Sequence, residues 1–288
     1  QQSVECSILE YSLPDMTLTN QVSIAGECSA GNIDVNPAGT MAVVAYLAYD
    51  FSSYHLVAVD LTNNTVIDNI DTGYTMTDGI VFDKDGQSFF MRIGGGVAKF
   101  HVANDAIQTD DAQGYGQEFS PAIAVSPSTG QITVAEVGNG NIRLINPDDL
   151  NDTTEIHVAD NATNFNRLAY SHDGTKLMVV GQDGDGNHVW EINTSTGLVE
   201  NDYSLTDFPE SVGYTPDDSQ YVIGDNFGSG TIFFGTPGGS NFTDSIVQPI
   251  RSYAMRNTNF IYSMNGSDAS EPVSLTNVFV VASYGTDP

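Results

Sequence analysis

Short apolar runs, each closed by a polar turn signal, succeed one another along the whole chain. Six of the junctions share one phrase: VNPAGT from Val35, FDKDGQ from Phe82, VSPSTGQ from Val125, YSHDGTK from Tyr170, YTPDDSQ from Tyr214 and YSMNGSD from Tyr262. Each phrase ends an apolar run, supplies Pro, Gly, Asp or Asn for a tight turn, and precedes a run rich in Val, Ile, Tyr or Phe. That is the pattern of a β-hairpin. The starts recur every 43 to 48 residues, a period that marks a repeat architecture rather than six unrelated hairpins.

Each repeat continues into a second hairpin. YHLVAVDLTNNTVIDNIDTG (54–73) alternates apolar and polar positions on both sides of a turn at Thr62–Asn64, with counterparts at 96–111, 141–158, 188–205 and 231–248. Four antiparallel strands, A to D, per repeat is the composition of a β-propeller blade. The expected fold is an all-β, six-bladed propeller in a single domain. Its blades run approximately over 29–73, 77–112, 119–159, 164–206 and 208–248. The sixth combines 257–288 with 5–26. On this reading 7–26 is a C–D hairpin and 259–266 and 277–287 are strands A and B, so the two ends share the closing blade. Closure of this kind removes exposed edge strands. A second register starts the last blade at Ser252–Met255 and leaves the C-terminal strand as C.

Composition narrows the partners. With 37 acidic and 8 basic residues the net charge is −29, so nucleic acid phosphates and anionic membranes are repelled. No apolar run approaches the roughly 20 residues of a membrane-spanning helix. Gln1 stands first with no signal-like segment after it, which points to a processed, secreted form. Six N-x-S/T sequons, at Asn63, Asn151, Asn161, Asn193, Asn241 and Asn265, fall mostly in expected turns and are candidate glycosylation sites. Cys6 and Cys28 bracket one expected hairpin. A disulfide between them would contribute about 3 kcal/mol in the chain-entropy model, and two buried thiols are the alternative. Without a CxxC motif or Cys/His cluster, zinc is disfavoured.

VDLTNNTVIDNIDTG with DGIVFDKDGQSFF resembles the repeats of YVTN-type β-propellers, and NRLAYSHDGTKLMVV resembles these and the lactonase and gluconolactonase-like propellers. The similarity covers essentially the whole chain, but its motifs build blades rather than chemistry. It implies either an extracellular surface module or a metal-dependent lactonase or esterase.

Candidate chemistry lies in positions that do not repeat. Four residues before each phrase the chain places Gly31, Asp78, Pro121, Asn166, Glu210 and Thr258, the expected rim of the channel. Asp78, Asn166 and Glu210 carry oxygen ligands suited to Ca²⁺. The gluconolactonase-like resemblance implies Glu, Asn and Asp around a central metal, although the cyclic order here is Glu, Asp, Asn. In QDGDGNH (182–188), Asp183, Asp185 and Asn187 alternate as a calcium loop would, without the EF-hand glycine and final acid. Tyr46, Tyr49, Phe51, Tyr54, Tyr74 and Met76 form an aromatic-rich loop group suited to recognition. No G-x-S-x-G elbow or phosphate-cradling loop is present, and the five histidines lack metal spacing. The expected function is a secreted, non-catalytic module that binds an extracellular protein or glycan, or assembles with itself. The alternative is a Ca²⁺-dependent lactonase or esterase-like hydrolase.

Overall fold

The computed structural model describes residues 5–12, 17–48, 52–74, 79–206, 208–215, 217–225, 231–239, 242–247 and 260–264. The chain groups into two compact units, 1–94 with 98–112 and 252–288, and 95–97 with 113–251.

The first unit contains β1 (Glu5–Ser12), β2 (Thr17–Val35), β3 (Met41–Ala48), β4 (Tyr54–Asp60) and β5 (Thr65–Asp71). Most of a second sheet follows, β6 (Ile80–Phe82), β7 (Ser88–Ile93), β8 (Gly96–Ala103) and β9 (Ala106–Gly114), in the order β6-β7-β8-β9. The second unit holds three sheets of four strands in sequence order. They are β10 (Phe119–Val125), β11 (Ile132–Glu136), β12 (Asn141–Asn146) and β13 (Asp149–His157), then β14 (Asn164–Tyr170), β15 (Lys176–Gln182), β16 (Asn187–Asn193) and β17 (Leu198–Leu205), then β18 (Pro209–Tyr214), β19 (Tyr221–Asp225), β20 (Thr231–Gly235) and β21 (Phe242–Val247). Finally β22 (Phe260–Met264) joins the first sheet, whose order is β22-β1-β2-β3-β4-β5.

Local chemistry explains the recurring hairpins. In the five described phrases the second residue (Asn36, Asp83, Ser126, Ser171 or Thr215) donates its backbone N–H across the hairpin mouth, at 2.9–3.0 Å. Its side-chain oxygen accepts an N–H from further along the turn: Thr40 N to Asn36 at 2.8 Å, Gln87 N to Asp83 at 2.9 Å, Thr129 N to Ser126 at 3.2 Å, Lys176 N to Ser171 at 2.9 Å and Gln220 N to Thr215 at 3.0 Å. Short polar side chains are favoured there because they satisfy turn donors locally. The turn also needs a left-handed residue, supplied by Gly39, Gly86, Gly130 and Gly174 and, in the fifth phrase, by Asp218 at φ +54°.

The second strand of each hairpin is buried on both faces, as in Ala42–Ala45 and Met178–Val180, so it reads as a continuous apolar run. The outer strands β5, β9, β13 and β17 are far more exposed, and in β17 every second residue faces solvent. Trp190 is buried edge-to-face on Phe165, 5.3 Å between ring centroids. Such a pair adds about 0.5–1.5 kcal/mol beyond its area burial.

Two features differ from the expected registers. The strand over 17–26 and the strand ending at Val35 are one continuous β2, which pairs with β1 and then, past an irregularity at Cys28–Gly31, with β3. Ile8, Val22 and Ile24 accordingly pack with Val35, Val44 and Val57 in one cluster. In addition β22 lies directly against β1, with Glu10 opposite Tyr262, where the preferred sequence register places 259–266 one strand further in. The rest of that expected blade, 265–288, lies outside the described residues.

Candidate functional site

The first strands of the three sheets in the second unit pack in series, β10 on β14 and β14 on β18. This brings the starts of those strands, where the sequence locates the candidate rim, next to one another. Asn166 is buried. Its Nδ2–H donates to the carbonyl of Pro209 at 2.6 Å, and its Oδ1 accepts from Asn164 Nδ2 at 2.6 Å. Both ends of the amide are therefore engaged, one of them across a sheet boundary. Glu210 follows Pro209 on β18 and is half-buried. Asp78 and Thr258 lie outside the described residues.

The 183–186 link is organised as a turn. Asp183 Oδ1 accepts the N–H groups of Asp185, at 2.8 Å, and Gly186, at 3.2 Å, while Asn187 Oδ1 accepts from Gln182 Nε2 at 2.8 Å. Asp185 is exposed. Of the three residues that sequence spacing groups as a calcium loop, Asp183 accepts from the turn itself and Asn187 from Gln182. Among the described residues, no group of three or more His, Cys, Asp or Glu converges as a metal site.

A constellation that spacing did not reveal lies beside this link. His188 is buried and stacks on Trp190 at 5.3 Å with an 11° interplanar angle. Its Nδ1 meets Asp202 Oδ1 at 2.6 Å and its Nε2 lies 3.4 Å from Asp183 Oδ1. The imidazole ties the link to the outer strand β17. Asp202 is far along the chain, so no local motif announces the set. The β10–β13 sheet carries a similar anchor. Arg143 Nε donates to the buried Glu136 at 2.8 Å, its Nη2 lies 2.5 Å from Glu155, and Asn139 also bonds Glu136. Gly140, at φ +73°, lets Val158 N reach its carbonyl at 2.8 Å, and a Cβ there would sit 1.8 Å from the Ala159 oxygen.

The aromatic group separates as well. Tyr46 belongs to β3 rather than to a loop and is buried, stacked on His55 at 5.0 Å, with its hydroxyl accepting from Asn69 Nδ2 at 3.2 Å. Its expected role in surface recognition is thereby corrected, because extension of β3 to Ala48 carries it into the core. Tyr74 packs partly buried against the β6–β8 cluster. Tyr49, Phe51 and Met76 lie outside the described residues.

Of the sequons, Asn63, Asn151 and Asn161 are exposed. Asn193 is half-buried, with Nδ2 donating to Glu200 at 2.7 Å and Oδ1 accepting from Ser195. Asn241 and Asn265 lie outside the described residues. Cys6 is opposite Ala25 in the β1–β2 register; the side chains of Cys6 and Cys28 are outside what is described.

No protein-family model matches the chain, and no curated protein matches its sequence. Solved structures do resemble it. Hydrazine synthase of Kuenenia stuttgartiensis aligns over 79% of this chain and 70% of its own, with a TM-score of 0.63 and 17% identity. The β-propeller domain of Cps50 (Swd1) from Myceliophteria thermophila aligns over 84% of this chain and 80% of its own, with a TM-score of 0.66 and 10% identity. At such identities the likeness bears on fold alone, and with the successive four-stranded antiparallel sheets it assigns the chain a β-propeller fold.

Proposed function

We propose that this protein is a six-bladed propeller of the YVTN or lactonase-like kind, acting outside the cell as a non-catalytic binding or assembly module. Its partner is an extracellular protein or glycan, or a second copy, met by the face that carries the 137–140, 158–163 and 183–186 links. The observation that carries this reading is the engagement of Asn166, whose amide is held at both ends by Asn164 and Pro209. A side chain so bonded braces neighbouring sheets and keeps the links above them in place. Rigid scaffolds presenting polar links commonly recognise partners in this way. The exposed sequons at Asn63, Asn151 and Asn161 support an extracellular setting, and a Cys6–Cys28 disulfide remains part of the proposal.

A Ca²⁺-dependent lactonase or esterase is the second reading. It is favoured by one juxtaposition: Asn166 bonds the carbonyl of the residue preceding Glu210, so two of the three expected ligands occupy adjoining strand starts. Calcium titration followed by thermal melting, repeated on Glu210→Ala and paired with a lactone hydrolysis assay, separates the two readings. The module reading expects no turnover and the same calcium response in both proteins. Turnover abolished by EDTA and by Glu210→Ala would refute it.

A further inference from the structure

A cleft of about 460 Å³ opens between the β10–β13 and β14–β17 sheets, at the end where the repeated turns lie. Its floor is apolar, formed by Leu144, Ile156, Tyr170 and Ile192. Leu144, Ile156 and Tyr170 are only partly buried.

The cleft arises from two side chains rather than from a looser sheet boundary. Leu144 lies opposite Thr133 and Ile156 opposite Ile142. In the next sheet the same register positions are Glu191, opposite Met178, and Tyr203, opposite Val189. At that next boundary the longer side chains fill the space. Glu191 is wholly buried, accepts the N–H of Gly238 at 2.9 Å and pairs with Lys176 at 2.9 Å, while Tyr203 packs with Tyr214 and Tyr221. Leu144 and Ile156 are too short to do the same.

Four hydroxyls at the rim already direct their protons to partners within the protein. Thr129 donates to Gln131 at 3.4 Å, Thr175 to Asp173 at 2.8 Å, Thr194 to the carbonyl of Gly174 at 2.7 Å, and Ser195 to Asn193 at 2.7 Å. Each oxygen keeps a lone pair, so the rim offers acceptors. Both charges at the rim are matched: Lys176 by Glu191 and Glu200, and Asp173 by donors from Ser171 and Thr175. A ligand complementary to this surface is uncharged, brings hydroxyl donors and has an apolar face.

We propose that the cleft binds a neutral saccharide unit, its C–H face on Leu144 and Ile156 and its hydroxyls donating to the threonine and serine rim. The volume falls within the roughly 300–1,000 Å³ of small-molecule sites. The proposal is independent of the reading of the loop-bearing face, because the cleft is at the other end of the same strands.

Saturation-transfer NMR on the full chain tests it, with methyl α-glucopyranoside, methyl α-mannopyranoside and maltose at about millimolar concentration, where weak binding registers. Transfer to the ring C–H protons of at least one sugar is expected, lost in Ile156→Tyr, which places the residue of the next boundary in the cleft. Thr129→Val removes one exposed acceptor and is expected to weaken binding by roughly three- to tenfold, which keeps the test intact if the tyrosine variant does not fold. No transfer to any of the three sugars overturns the proposal. So does unchanged transfer in a folded Ile156→Tyr or in Thr129→Val, or transfer confined to a cyclohexylammonium probe, which would make the cleft a cation site.

Discussion

Asp218 Oδ1 accepts the backbone N–H of His172 at 2.8 Å and the ring Nδ1–H of the same residue at 2.7 Å, while Oδ2 accepts Asp173 N at 3.0 Å. Asp218 stands where other phrases carry glycine, at φ +54°, so a left-handed backbone and a clasp on the preceding sheet coincide in one residue. Asp tolerates that conformation better than most residues.

Asp218→Gly relieves the backbone but removes three bonds, and the expected net effect is destabilisation of roughly 1–3 kcal/mol. Asp218→Asn retains an acceptor and should be milder. Urea unfolding of the three proteins decides the matter, and a glycine variant more stable than the parent would contradict the clasp.

Lys176 and Glu191 give a second prediction. Glu191 is fully buried and paired with Lys176, whose side chain is about a quarter exposed. Removing one partner of a fully buried pair costs about 3–5 kcal/mol, and partial exposure reduces this to roughly half. Lys176→Met alone should therefore be clearly destabilising. Lys176→Met combined with Glu191→Leu, which adopts the leucine of the neighbouring boundary, should recover most of the loss. A double-mutant cycle by thermal melting showing simple additivity would count against the pairing.

Acid sensitivity follows from the turn carboxylates. Donors from Ser219 and then Thr215 hold Asp217 down to about 2, from an ordinary 3.8. Its folded pKa is depressed, so its contribution is fully present above about 3.8 and disappears as pH falls through about 2. Asp217→Asn should melt below the parent at pH 6, with the gap closing between pH 3.8 and 2. A gap constant across that range would exclude the carboxylate as its source.

Salt should stabilise the fold. A net charge of −29 repels itself, and raising ionic strength from 0.1 M to 1 M shortens the screening length from about 10 to 3 Å. The melting midpoint in NaCl is expected to rise over that interval. A fall would mean that attractive pairs such as Lys176–Glu191 outweigh the repulsion.

The hairpins were legible because their causes are local. Ser171, its own N–H and the N–H of Lys176 lie within six residues, so the phrase contains both the turn and what satisfies it. The second hairpins were legible for the same reason, since period-two alternation records which face of a strand is buried. Tyr46 departs from its expected place in a link because nothing local distinguishes the end of β3 from the start of a link. The continuity of β2 was hidden by Gly26 and Gly31, which resemble breaks in sequence yet fall within the strand.

Most of the described strands, the turns between them and the repeat that relates them can be read from the chain alone, because they depend on residues only a few positions apart. What the non-repeating polar residues do depends instead on how one repeat packs against the next. Asn166 reaches Pro209, 43 positions away, His172 is clasped by Asp218 at a separation of 46, and Glu191 meets Gly238 at 47. Each of these partners lies about one repeat further along. The bonds that join one sheet to the next, and the cleft left where Leu144 and Ile156 stand instead of longer side chains, exist only when two repeats are packed together.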